Sequence, residues 1–296
     1  MAIVLGIAGC STHAAQGPTQ ELPLLTATVE AEPPPEWSPP PSAPPSAVAN
    51  GAKPTTSVKR RATGAPTVQQ GVQKLAKTAL VGSVVIDRDA NETLVSENGD
   101  RQFAAGSLVK LLIGMDALVR HPGDGSVGRK VTMMIQYSDD PTASAFWMSE
   151  GGAAIVTRMR VKMGLQSTQP PVPVSRWGNT MITANDMARI YDYILTKATP
   201  ADRTTIVEAM AAAASTGSDG FKQHFGIPSA TKMPWAIKQA WATDSEDHKA
   251  VHSTGLVGKN WQYVVIVLTE HPVRTGWDAA TKAVTAGVQA ALAGLQ

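Results

Sequence analysis

A single cysteine, Cys10, stands in 296 residues. It has no partner for an internal disulfide and cannot build a cysteine-based zinc site. Charge of one sign is also scarce: the formal net charge is +2. No Lys/Arg stripe runs along any stretch of helical periodicity, so nucleic acid is not an expected partner. No apolar run reaches the length that a membrane span needs. Neither a G-x-S-x-G elbow nor H-E-x-x-H occurs, so an α/β-hydrolase or a zinc protease has no anchor, and no metal or cofactor is expected. Apolar residues make up 43% of the chain, enough for a real core.

Proline is plentiful but confined. Pro33, Pro34, Pro35, Pro39, Pro40, Pro41, Pro44 and Pro45 crowd one segment, with Trp37 isolated among them. Such a stretch favours extended polyproline geometry and cannot bury enough apolar surface to offset its ordering entropy. We therefore expect residues 10–66 to be a tether and residues 67–296 the folded domain. Ahead of the tether, Ile7-Ala8-Gly9-Cys10 follows the apolar start MAIVLG. Small residues and then a cysteine after a short apolar region resemble the lipobox of a bacterial lipoprotein, with residues 1–9 as signal segment. Lipidation at Cys10 would anchor the chain to the cell membrane on its extracytoplasmic side. No Lys or Arg precedes the apolar stretch, from which we expect a start codon further upstream.

The folded part opens on TVQQGVQKLAKTALV, with apolar residues at helical spacing. SVVIDRDA and TLVSENG are β-rich and predict a hairpin turning at residues 88–91. From Leu108 the pattern is helical to about Ala214, broken by the Pro-rich loop 166–181. Strand signals return in WAIKQAW, KAVHSTGLVG and YVVIVLTE, and the chain closes on a helix. Strands at both ends with helices between predict an α+β fold: one antiparallel sheet flanked by helices, with an inserted all-helical lobe.

Two Ser-x-x-Lys pairs occur, Ser107–Lys110 and Ser229–Lys232. About one is expected by chance, so only context separates them. Ser229 follows Gly226-Ile227-Pro228 and precedes Met233-Pro234, which is loop punctuation. Ser107 opens an amphipathic helix, where residues three apart share a face and first-turn amides point at a developing oxyanion. A helix cap remains the alternative for Ser107. Downstream, Ser138-Asp139-Asp140 falls in the helical region and Lys238-Gln239-Ala240 on a strand.

Ser-x-x-Lys, then Ser-Asp-Asn, then Lys-Thr-Gly on a strand is the order found in penicillin-binding proteins and class A β-lactamases. Across roughly residues 67–296 the chain resembles this penicillin-recognising serine hydrolase superfamily. The resemblance implies acyl transfer through a covalent acyl-enzyme, on a β-lactam or a peptidoglycan-like peptide. Ser107 would attack, Lys110 accept its proton, Ser138 relay a proton to the leaving nitrogen, and Lys238 bind a substrate carboxylate. Asp140, Gln239, Ala240 and Trp241 would line the substrate, with the backbone N–H groups of Ser107 and Trp241 as oxyanion hole. A monomer is expected.

Departures accompany the match. Asp140 stands where an asparagine is expected and would favour Lys110 as an ammonium. Ala240 replaces a glycine and adds a Cβ where substrate must approach. Loop 166–181 holds no Asp or Glu to activate a deacylating water, so slow release is expected. A non-catalytic lipoprotein that kept the fold is the alternative function. Gly123-Asp124-Gly125-Ser126-Val127-Gly128 matches a dinucleotide fingerprint but follows a helix, and predicts a turn. His252, before Ser253-Thr254-Gly255, predicts a polar group on a sheet, and Trp177, Tyr191 and Tyr193 predict packing in the core or at the loop base.

Overall fold

A computed structural model of the chain describes residues 66–243 and 247–295. Cys10 and the tether expected over residues 10–66 lie outside those residues, save Pro66 itself. Five strands form one antiparallel sheet: β1 (Leu80–Asp87), β2 (Glu92–Glu97), β5 (Trp235–Thr243), β6 (His248–Val257) and β7 (Tyr263–Pro272), in the order β2-β1-β7-β6-β5. A second pairing joins β3 (Phe103–Ala104) to β4 (Met181–Ile182).

The centre of the sheet explains its sequence. β7 is buried on both faces, so it reads as a near-continuous β-branched run rather than an alternation. Side chains still alternate in direction. Val264, Ile266 and Leu268 pack toward the helical lobe, as do Ala236 and Ala240 of β5 and Leu256 of β6. Val265, Val267, Ile237 and Val251 pack toward the opposite layer. That layer holds α1 (Val68–Gln73), α8 (Ile227–Ala230) and α9 (Trp277–Ala291). The expected first helix is short. It ends at Gln73, because from Leu80 the chain can pair with both β2 and β7 and tertiary pairing overrides the helical periodicity.

The lobe comprises α2 (Lys110–Arg120), α3 (Gly125–Gln136), α4 (Asp140–Ser149), α5 (Ala153–Met163), α6 (Ala184–Asp192) and α7 (Pro200–Ala211). α2 is its axis: Leu111, Leu112, Ile113, Met115, Ala117 and Leu118 are all buried in one core. Asp124, Asp139, Thr183 and Thr199 cap α3, α4, α6 and α7 with side-chain oxygens. The turn expected over residues 123–128 is therefore only half a turn. Asp124 ends it and Gly125 begins α3. No helix among the described residues is long and apolar enough to cross a membrane.

Candidate active site

Between β3 and α2 the chain makes one 3-10 turn, Gly106–Val109. Gly106 has φ +50°, and a Cβ there would lie 3.2 Å from the Cβ of Ala240. A glycine fits both demands: left-handed backbone and close approach to β5. This turn delivers Ser107, 7% exposed, to the start of α2. No side-chain capping bond is made at this terminus, so the helix-cap alternative for Ser107 fails. Its Oγ instead accepts a hydrogen bond from Lys110 Nζ at 2.7 Å.

Ser138 enters from the opposite wall. It sits at φ +54°, just before the α4 cap. A non-glycine residue held there costs about 1 kcal/mol or more, and such strain concentrates at functional positions. The Asp139 side chain, accepting from Thr142 N–H at 2.9 Å, and the Asp139 N–H bond to Met134 hold the turn. Ser138 Oγ lies 2.9 Å from Lys238 Nζ and 3.5 Å from Lys110 Nζ. Two hydroxyls and two amines, from the 3-10 turn, α2, the turn before α4 and β5, thus meet in one hydrogen-bonded chain.

The two lysines differ in what opposes their burial. Burial pushes both amines below the ordinary lysine range. Asp140 Oδ1, 2.5 Å from Lys110 Nζ, pulls that amine back up. The indole face of Trp177, its centroid 4.6 Å from the same nitrogen, also favours the cation. Lys238 is 1% exposed, and among the described residues its Nζ hydrogen-bonds only to Ser138 Oγ and, at 3.0 Å, to the Gln239 carbonyl. Burial above all, and then the neighbouring Lys110, push its amine well below the ordinary range, against smaller upward pulls from Asp140 and Asp219. Of the two, Lys238 is the easier to hold as a free amine.

The neighbouring expected substrate residues do not all face this cluster. Strand alternation turns Gln239 to the opposite side of β5 from Lys238, where its Nε2 donates to the carbonyls of Phe225 (2.6 Å) and Gln223 (3.3 Å). Its amide is therefore not a lining group of the cleft. Ala240 is fully buried against Gly106, so its Cβ does not stand in the path of an approaching substrate. Trp241 stacks on Phe221 (4.6 Å, 10°) and donates from Nε1 to Asp219 at 2.7 Å. β5 is an edge strand. Ser229 is exposed, lies in α8 rather than a loop, and donates to the His224 carbonyl at 2.6 Å, well apart from this arrangement. His252, on β6, is an interior sheet residue bonded to the Ala104 carbonyl at 2.9 Å.

Two residues near the cluster escaped the sequence analysis. Trp177, expected in packing, roofs Lys110 while its Nε1 donates to Ser144 at 3.2 Å. Asp219 meets Trp241 across 22 residues, a pairing that no local pattern announces. Tyr191 does pack as expected, buried with its hydroxyl 2.7 Å from Thr254 Oγ1, and Tyr193 is buried too.

Residues 119–292 match the model of the β-lactamase enzyme family. Among curated proteins, the chain is 33% identical over 224 residues to the Mycobacterium tuberculosis protein named "Putative lipoprotein LppW", spanning 72% of this chain and 71% of that one. The Mycobacterium bovis protein of the same name matches equally. Among solved structures, a class A β-lactamase described as the last common ancestor of Gram-negative bacteria superposes with a TM-score of 0.62 at 17% identity. It covers 77% of this chain and 99% of that one. A class A β-lactamase from Bacteroides cellulosilyticus gives 0.59 at 18% identity, with 78% and 100% covered.

Proposed function

The chain belongs to the β-lactamase enzyme family, and on that premise we propose that it is a cell-envelope serine hydrolase forming an acyl-enzyme through Ser107. Its substrate would be an amide of the peptidoglycan-peptide or β-lactam kind. The observation that carries this reading is the linked pair of hydroxyl–amine contacts, Lys110 to Ser107 at 2.7 Å and Lys238 to Ser138 at 2.9 Å. Ser107 Oγ attacks the carbonyl carbon as its proton passes to Lys110 in the free-amine form. The backbone N–H groups of Ser107 and Trp241 hold the oxyanion. Ser138 then gives its proton to the leaving nitrogen as the C–N bond breaks, and takes in its place, from the Lys110 ammonium 3.5 Å away, the proton that Ser107 lost. Water finally cleaves the ester, returning an acid and free Ser107.

Release is the slow half of this cycle. Loop 166–181 contributes no carboxylate, and Trp177 occupies the space above Lys110. The Lys110–Asp140 ion pair also supports a second reading, a non-catalytic scaffold, because an ammonium is the wrong form for a base. Intact-protein mass spectrometry separates the two. With a reactive penicillin and, in parallel, a neutral fluorophosphonate, one stoichiometric adduct is expected, lost in Ser107→Ala and retained in Ser229→Ala. No adduct with either reagent between about pH 6 and 9 would leave the scaffold.

The lipoprotein name of the mycobacterial relatives supports anchoring through Cys10. Protein expressed from its full upstream reading frame is expected in the membrane fraction, and its Cys10→Ala variant in the soluble fraction. Membrane association that survives Cys10→Ala would sink this part.

A further inference from the structure

On the lobe-facing side of the sheet, a cavity of about 470 Å³ opens where Ile86 of β1 pairs with Val264 of β7. It shares no residue with the Ser107 cluster. Ile86, Val264, Ala188 and Leu195 give it an apolar floor, and its rim is polar. In size and lining this is the make-up of a small-molecule site. Ala188 comes from α6, and Leu195 from the π-helical turn Tyr193–Lys197 that continues it. There the Ala198 N–H reaches back five residues to the Tyr193 carbonyl at 2.9 Å, a widened turn of a kind that recurs at functional sites.

Three charged side chains line the rim: Arg88, Arg189 and Asp192. Two of them already have counter-charges. Arg189 Nη1 lies 3.0 Å from Asp186 Oδ1, and Asp192 Oδ2 lies 3.4 Å from Lys197 Nζ. Arg88 differs. Its Nη1 donates to the Trp261 carbonyl at 2.7 Å and the Asn260 carbonyl at 3.4 Å, and among the described residues no carboxylate lies within 4 Å of it. The carbonyls hold the guanidinium but leave its charge uncancelled, with Nε and Nη2 still to donate. One uncancelled guanidinium beside an apolar floor suits one kind of occupant: a single carboxylate on a compact apolar body, received by the fork of N–H groups. A cation is repelled there, and a phosphate dianion brings more charge than the rim balances.

The cavity also adjoins the anchor of loop 166–181. Asp186, the partner of Arg189, is fully buried and accepts the backbone N–H groups of Gln166, Ser167 and Thr168 at 2.9, 2.8 and 2.7 Å. The same loop carries Trp177 over Lys110. We infer that the cavity is a binding site for a small apolar monocarboxylate, and that its occupancy steadies the loop roofing Lys110. The inference does not depend on an acyl-enzyme at Ser107. Opening of the Asp186 anchor disturbs α6, which is a wall of the cavity. A ligand that binds only the intact wall makes such openings rarer.

Three probes test this: 3-phenylpropanoate, 3-phenylpropan-1-ol and 3-phenylpropylammonium, each titrated into the parent chain and followed by NMR. The acid is expected to saturate one site with a Kd of about 1 mM, about tenfold tighter than either analogue. Arg88→Gln is expected to reduce the acid to the affinity of the alcohol. Because Arg88 also braces the Asn260–Trp261 turn, a second variant is needed. Ala188→Leu fills the floor and is expected to weaken acid and alcohol alike. At an acid concentration of about ten times Kd, hydrogen exchange at the amides of residues 166–168 is expected to slow about tenfold. No saturable binding of the acid, or equal binding of all three probes, overturns the site. Acid binding that survives both variants lies elsewhere and overturns it too. Unchanged exchange at residues 166–168 in the saturated protein overturns the link to the loop.

Discussion

At the scale of single residues, the decisive change is one carboxylate where an amide would serve. Asp140 is 61% exposed yet reaches a fully buried ammonium, so the pair spans a dielectric boundary. Its attraction raises the affinity of Lys110 for a proton against the burial that lowers it. Removing the carboxylate leaves burial unopposed, and the free amine then appears at lower pH. Asp140→Asn is therefore expected to shift the rising limb of the acylation profile toward lower pH and to speed acylation several-fold at neutral pH. Stability should move by no more than about 1 kcal/mol, because a half-exposed pair contributes little. Stopped-flow acylation across pH checks both, and an unchanged profile would mean that Asp140 does not control Lys110. Ala240 gives the opposite case. Its buried Cβ packs on Gly106, so Ala240→Gly is expected to cost about 1 kcal/mol in a urea titration without raising the acylation rate.

At the scale of elements, the loop 166–181 shows what sequence can and cannot reveal. That it lacks a carboxylate is plain from the sequence alone. That it instead lays an indole on Lys110 is not, because nothing local distinguishes a roofing tryptophan from a packing one. Trp177→Ala is expected to shorten the lifetime of the Ser107 adduct about tenfold by admitting water to the ester, with acylation much less affected. Mass spectra of a pulse-labelled sample followed over time would show it, and an equal adduct lifetime would assign the slow release to the missing base alone. The sheet, the lobe and the order of Ser107, Lys110, Ser138 and Lys238 were legible because periodicity and spacing carry them. The facing of Gln239 was legible in principle from the period of two, since it must oppose Lys238 on β5, but a three-residue motif read as a unit hides that alternation. Short elements were missed where tertiary pairing, not propensity, creates them. The β3–β4 ladder is two residues long on each side, joining segments far apart in the chain.

At the scale of the whole molecule, the nucleophile is tied to the far side of the sheet through buried histidines. His252 Nδ1 accepts the Thr269 N–H at 3.1 Å, which leaves the proton on Nε2 to donate to Ala104, three residues before Ser107. Thr269 Oγ1 donates to the Val251 carbonyl and so accepts from His271 Nε2 at 2.8 Å. The Thr269 N–H thereby fixes His252 as a neutral tautomer, and burial pushes both rings down from 6.5 to about 4. Below pH 6.5 the unfolded chain binds protons that the folded chain refuses until about pH 4, so stability present at neutral pH is lost as pH falls through that window. His252 alone, fully buried, should account for about 2 kcal/mol between pH 7.5 and 5.0, with His271 adding a smaller share because the two rings repel when charged. Glu150 and Asp186 are held below their ordinary carboxylate values and act mainly below this window. Urea midpoints measured at both pH values are expected to fall accordingly in the parent chain, and His252→Gln to flatten the slope even if it lowers stability at pH 7.5. A parent chain with equal midpoints at pH 7.5 and 5.0 would show that these histidines charge without cost, and the link between sheet and nucleophile would have to be sought elsewhere.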